Sequence, residues 1–254
     1  MLFGVLWGVG GLTFGLSMRY LGVSLGQSIA LGTCAGLGTI LTPLFTGHPE
    51  ELTWPVIVGV AVTLLGIAII GIAGSQKESG GETVKEFNFT KGIVVALLAG
   101  FMSACFSIGL GFGRNLFFPE TKEIFHSLPA TLLVTIGGFL TNAVYCFYQN
   151  SKNKTWGDYK KGSVWGNNLL FCALAGLLWY SQFFGLSLGK GFLVGAPVLI
   201  AFSWCILQSL NVVFSNVWGI ILKEWKGASK KTIAILVLGL AVLIISSFLP
   251  QLLK

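Results

Sequence analysis

Long apolar runs separated by short polar ones make up nearly the whole chain. Eight of them are long enough to cross a bilayer: Met1 to Ser17, Leu21 to Phe45, Pro55 to Ala73, Gly92 to Gly113, Leu128 to Gln149, Val164 to Leu188, Pro197 to Leu222 and Thr232 to Leu249. A spanning helix needs about 20 such residues for roughly 30 Å of hydrocarbon. Barrel strands would instead show as segments of about 10 residues with strict alternation. No Asp, Glu, Lys, Arg or His falls inside the eight runs. The pattern predicts an all-α polytopic membrane protein with eight transmembrane helices.

The runs also repeat. Gly4-x-Leu6-Trp7, followed by Phe14-Gly15-Leu16-Ser17, is echoed with a two-residue gap by Gly176-x-Leu178-Trp179 and Phe184-Gly185-Leu186-Ser187. Each copy opens a unit of three spans, the second carrying a polar face and the third almost wholly aliphatic. Spans one to three thus match spans six to eight. An offset of five helices is odd, so the copies run in opposite directions, as in transporters built from inverted repeats. The division this implies is an incomplete first repeat over residues 1–74, a cytoplasmic linker over 75–91 and a complete five-helix repeat over 92–250. Two further helices are expected before Met1. The aliphatic third and eighth spans are expected at the lipid-facing periphery.

Uncharged polar residues mark the inner faces. Trp204, Gln208, Asn211 and Ser215 are spaced four, three and four apart in the seventh span, so they share one helix face. Thr131, Thr135, Gly138, Asn142, Tyr145 and Gln149 do the same in the fifth span, Asn168, Cys172, Ala175, Trp179 and Gln182 in the sixth, and Ser28, Gly32, Ala35, Thr39 and Thr42, beside Gln27, in the second. An amide buried in hydrocarbon without a partner costs several kcal/mol, so these stripes must meet other helices or a watered cavity. Four stripes with amides near mid-span predict a cavity lined by Gln27, Asn142, Trp179, Gln182, Trp204, Gln208 and Asn211. Amides both give and accept hydrogen bonds, and an indole can stack on a sugar ring, so a small neutral polyhydroxylated ligand fits this set.

Composition agrees with a membrane protein: 54% hydrophobic, 10% charged, mean hydropathy +0.82. The net charge of +7 lies in loops, where it sets topology rather than binding nucleic acid. Arg19, then Lys77, Lys85 and Lys91, then Lys152, Lys154, Lys160 and Lys161, then Lys223, Lys226, Lys230 and Lys231 occupy the loops after the odd spans. The other side holds only Arg114, Lys122, Lys190 and Lys254. The positive-inside rule therefore puts both termini outside the cytoplasm. All five cysteines lie within spans, without Cys-x-x-Cys or matching histidines, so neither a metal nor a disulfide framework is indicated, and no cofactor is. Gly109-x-Gly111-x-Gly113 lacks the dinucleotide-binding spacing and reads as packing. With His48, His126 and every acid in loops, no nucleophile and base meet within the spans, which disfavours a membrane enzyme.

Several short runs carry a family resemblance: Leu6-Trp7-Gly8-Val9-Gly10, Gly15-Leu16-Ser17-Met18-Arg19-Tyr20-Leu21-Gly22, Thr42-Pro43, Phe87-Asn88 before Lys91-Gly92, Leu178-Trp179-Tyr180-x-Gln182-Phe183-Phe184, and Lys223-Glu224-Trp225. Together they resemble the L-rhamnose-proton symporter family of the drug/metabolite transporter superfamily, whose larger members have ten helices in two inverted five-helix halves. The resemblance implies uptake of L-rhamnose or a related deoxy sugar with protons across a bacterial inner membrane, with both termini periplasmic. An exporter or facilitator of another small neutral metabolite is the alternative, followed by a non-transport membrane subunit; the oligomeric state is not specified.

Proton coupling requires a group that titrates as the cavity changes sides, and no span contains one. Arg19 and Glu224 are the candidates for coupling or gating nearest the spans. Glu224, like His126, reads most simply as a solvated loop residue, so the coupling group is expected either upstream of Met1 or at Glu224. The loop charges also give a direct test of orientation. A reporter active only in the cytoplasm, fused after Lys254, is expected to be silent, and strong activity would reverse the assignment.

Overall fold

The computed structural model describes residues 1–77, 86–116, 118–193 and 195–253. Residues 78–85 of the linker expected at 75–91 lie outside them, Lys85 included, as does Lys254. Seven long apolar helices carry the fold, and the described residues form no strand. They are α1 (Leu2–Thr46), α2 (Trp54–Lys77), α3 (Phe89–Phe112), α4 (Leu128–Asn153), α5 (Gly162–Phe192), α6 (Pro197–Ile221) and α7 (Lys230–Leu252).

Helix α1 takes up the first two apolar runs and, at 45 residues, would be about 68 Å long if straight. It is not straight. Gly22 sits at φ 82°, ψ 168°, which is not helical. A Cβ on Gly26 would lie 3.0 Å from the backbone of Met18, whereas eight residues of straight helix would separate the two by about 12 Å. The chain therefore doubles back at Gly22. Met18, Arg19 and Tyr20, expected as the joining loop, stay helical up to the turn. The reversal is narrower than the sequence suggests because one residue without a Cβ adopts a conformation closed to the others.

Close approach through glycine holds the other helices to this hairpin, as expected where lipid supplies no hydrophobic drive. A Cβ at Gly10 would meet Ser103 of α3, one at Gly100 would meet Thr33 and the Ala30 carbonyl, and one at Gly8 would meet Thr141 of α4. The second half of α1 also packs on α6, where Gly38 lies under the Trp204 indole. Asn88 caps α3 by accepting from Lys91 N at 3.0 Å, and Ser229 caps α7 by accepting from Thr232 N at 3.1 Å.

Helices α2 and α7, the two aliphatic spans, pair with each other. Gly66 faces Leu243 and the Gly239 carbonyl, while Gly239 in turn faces Ile70 and the Gly66 carbonyl. Thr63 donates to Ser246 Oγ at 2.9 Å within the same seam. Their outer faces, with Leu64, Leu65, Ile244, Ile245 and Phe248, are exposed. Helix α5 is the least covered, with only 6% of its apolar window buried.

Gly22→Ala tests the reversal. Residues with a Cβ lose about 1–3 kcal/mol in this region of backbone space. The variant is expected to unfold at clearly lower temperature in detergent, followed by size-exclusion fluorescence, while Gly11→Ala, at a position with open space around it, is expected to stay near the parent.

Candidate functional site

Helix α6 gives the site its axis. Trp204, Gln208 and Asn216 face the second half of α1, which runs antiparallel to it. The Trp204 indole N–H donates to the Cys34 carbonyl at 3.3 Å, the Gln208 amide approaches Cys34 Sγ at 3.9 Å, and Asn216 donates to Ser28 Oγ at 2.8 Å. Moving along α6 from its start therefore crosses three zones in turn: a wide opening, a small cavity and a seal.

The small cavity, about 260 Å³, lies at mid-helix. Helix α6 contributes Trp204, Gln208 and Asn211, α5 contributes Trp179, Gln182 and Phe183, and α1 contributes Gln27, Leu31 and Cys34 from its second half with Trp7, Gly11 and Phe14 from its first. Asn211 donates to Gln182 Oε1 at 3.0 Å and Gln208 Oε1 at 3.3 Å, and Gln182 donates to the Trp179 carbonyl at 2.9 Å. Gln27 approaches only the Met18 sulfur, at 3.9 Å. These contacts fix the amides but do not exhaust them. The carbonyl oxygens of Asn211 and Gln27 accept no hydrogen bond from the described residues.

Aromatic rings line the cavity and separate it from the opening. Trp7 stacks on Trp179 at 5.5 Å, and Phe106 stacks on Phe183 at 4.8 Å and on Trp204 at 5.9 Å. Beyond them lies a larger space of about 480 Å³, lined by Thr39, Thr42, Ser107 and Thr131 and ending among Glu51, Arg114, Glu123, His126 and Lys190. There Arg114 grips both Glu51 oxygens, at 2.5 and 2.9 Å. This space is the larger of the two, but the four amides converge only in the smaller, which makes the smaller one the candidate site and the larger one its vestibule.

Six of the seven residues proposed from the sequence thus meet in one cavity: Gln27, Trp179, Gln182, Trp204, Gln208 and Asn211. Asn142 does not. Its amide donates to the Gly138 carbonyl at 2.9 Å and reaches the Gly8 carbonyl at 3.5 Å, while neighbouring Thr141 donates to the Val5 carbonyl at 3.0 Å. The polar stripe of α4 is spent on the first half of α1, where Gly137 meets the Gly4 backbone and Gly138 meets the Trp7 ring. Further along, Tyr145 and Gln149 bond each other at 2.7 Å on an exposed face. The α5 stripe divides likewise, since Asn168 and Cys172 border a separate surface hollow beside Tyr159 and Trp165.

Trp7, Phe14, Ser103 and Phe106 line the cavity without having been singled out. Trp7, Gly11 and Phe14 carry the same four-three spacing as the polar stripes, and Ser103 and Ser107 are four apart in α3, so periodicity could have found both sets.

The two gating candidates differ. Arg19 lies on the surface, paired with Glu86 at 2.5 Å with side chains 60% and 49% exposed. Its guanidinium holds the Glu86 carboxyl below the usual carboxylate range through that hydrogen bond. Glu224, expected in solvent, is only 9% exposed. It accepts from Val23 N at 3.1 Å, Ser24 N at 3.0 Å and Ser24 Oγ at 2.8 Å, the first donors after the Gly22 break. Sequence reasoning missed this because a carboxylate just past one helix gives no sign that another helix begins opposite it.

A bundle of apolar helices around a solute-sized polar cavity, open through a vestibule at one end and sealed at the other, defines a polytopic integral membrane protein with an internal cavity. The chain belongs to the L-rhamnose-proton symport protein (RhaT) family, whose model matches residues 1–252. It is 34% identical over 260 residues to L-rhamnose-proton symporters of Yersinia pestis and Yersinia pseudotuberculosis, covering 97% of this chain and 75% of theirs. The L-rhamnose-proton symporter of Citrobacter koseri is likewise 34% identical, over 264 residues. No solved structure matches the chain.

Proposed function

We propose that the protein carries L-rhamnose or a related deoxy sugar, together with protons, inward across the bacterial inner membrane. The observation that carries this reading is the convergence of Gln27, Gln182, Gln208 and Asn211 with Trp7, Trp179 and Trp204 around one cavity of about 260 Å³. That volume is at the small end for ligand sites and suits a single sugar ring. The amides would bond the hydroxyls, and the indoles would cover the apolar face and the methyl group. Among the described residues, no Asp, Glu, Lys or Arg borders the cavity, which suits an uncharged ligand. The names of the relatives point the same way.

The same reading includes topology. The doubling back of α1 at Gly22 supports eight crossings, and the reciprocal contacts of Gly66 and Gly239 support an inverted pairing of residues 1–74 with part of 92–250, within the ten-helix architecture of the superfamily. Both termini then face the periplasm. The vestibule, with Glu51, Arg114 and Lys190, opens outward, and the end holding Arg19, Glu86 and Glu224 faces the cytoplasm.

Binding of labelled L-rhamnose to the purified chain tests the site. A hydrogen bond to a neutral group is worth about 0.5–1.5 kcal/mol, so Gln208→Ala and Asn211→Ala are each expected to weaken binding roughly 2- to 13-fold. Asn142→Ala is expected to leave affinity unchanged, since its amide serves the α1–α4 contact. Unaltered affinity in both cavity variants would reject the site.

A further inference from the structure

Resting on the transport reading and orientation above, we infer that Glu224 is the latch that closes the cytoplasmic side of the cavity, and that taking up a proton releases it. Doubling back at Gly22 begins a new helix whose leading N–H groups have no partner within it. Glu224, in the turn after α6, supplies that partner to Val23 and Ser24 and accepts from the Ser24 hydroxyl as well. Ser24 Oγ in turn accepts from the Trp225 indole at 3.2 Å. A Cβ on Gly219 would strike Ser24 Oγ, so the end of α6 lies directly against the start of the inner half of α1.

This contact lies beneath the cavity. Between the two, Asn216 of α6 is fully buried, donating to Ser28 Oγ at 2.8 Å, and Ser28 donates to the Ser24 carbonyl at 2.6 Å. The Asn216 carbonyl oxygen has no hydrogen-bond partner. A buried acceptor left unmet makes the seal less stable than its packing alone would make it. Two of the helices that line the cavity, α1 and α6, are therefore joined below it by one carboxylate and one short polar chain, and parting them there would open the cavity to the cytoplasm.

Chemistry makes the latch sensitive to protons. An ionised carboxylate offers both oxygens as acceptors to the three donors, whereas a carboxylic acid turns one of its acceptor sites into an O–H donor. Protonation removes the charge that strengthens the bonds to the helix start. The other charged groups at this end are Lys223 and Lys226 in the same turn, Arg19 paired with Glu86, Lys91 over the Tyr20 ring, and Lys230 and Lys231 at the start of α7. Among the described residues, no cation forms an ion pair with Glu224. The step balances simply: the carboxylate takes one proton from water, the latch parts, and the acid returns that proton to water before the latch re-forms.

Cys34 reports the opening, since it is 1% exposed and borders the cavity. In a Cys146→Ser, Cys172→Ser background, inside-out vesicles would be treated with a membrane-impermeant maleimide and Cys34 modification followed by peptide mass spectrometry. Each rate would be divided by that of the detergent-unfolded chain at the same pH. The latch predicts slow modification at alkaline pH, about tenfold faster modification at acidic pH, and fast modification at both in Glu224→Gln. A slow Glu224→Gln, or one that keeps the acid response, overturns the proposal. Should that variant fail to insert, Ser24→Ala removes the hydroxyl donor while sparing the amides and is expected to speed alkaline labelling several-fold; no change in it counts equally against the latch. Rhamnose binding is measured separately, so a Cys34 response without sugar binding removes the substrate reading alone, and sugar binding without a Cys34 response removes the latch alone.

Discussion

Reversal of the chain at Gly22 is the constraint on which the rest depends. A helix that turns back begins a new helix whose leading amides have no partner within it. Glu224 meets that need across nearly the whole length of the sequence. The bond fixes the end of α6 against the start of the inner half of α1, and the antiparallel register follows from it. Ser28 then falls opposite Asn216, Cys34 opposite Gln208 and Trp204, and Gly38 under the Trp204 ring. Seal, cavity and vestibule are successive stretches of one helix pair.

Glycine and small polar residues perform two kinds of work in this protein, and their positions separate them. Where Gly8, Gly100 or Gly137 brings backbones together, neighbouring polar groups are used up in helix contacts, as Asn142 and Thr141 show. Where large aromatic side chains hold helices apart, as Trp7, Phe106 and Trp179 do, amides retain free capacity. The cavity exists because rings fill the gap incompletely. Ring spacing and not polarity alone distinguishes a lined space from a bonded seam.

Much of this was legible in the residues. Apolar length gave the helices, and the four-three-four spacing in α6 gave the face that meets the cavity. The aliphatic character of α2 and α7 marked them as peripheral, yet it could not show that Gly66 and Gly239 join them to each other. Asn142 was misplaced because spacing identifies a polar face without naming its neighbour. Glu224 was misjudged for the opposite reason: its partners are backbone amides, which every residue but proline has and no sequence pattern displays.

The arrangement of indoles has an optical consequence. Three of the eight tryptophans, Trp7, Trp179 and Trp204, border the same small cavity, two of them stacked and the third held by a hydrogen bond to a backbone carbonyl. Whatever enters that space changes the surroundings of three of the indoles that give the chain its ultraviolet emission. The native protein thus carries its own spectroscopic gauge, with no label needed to see the cavity fill and empty.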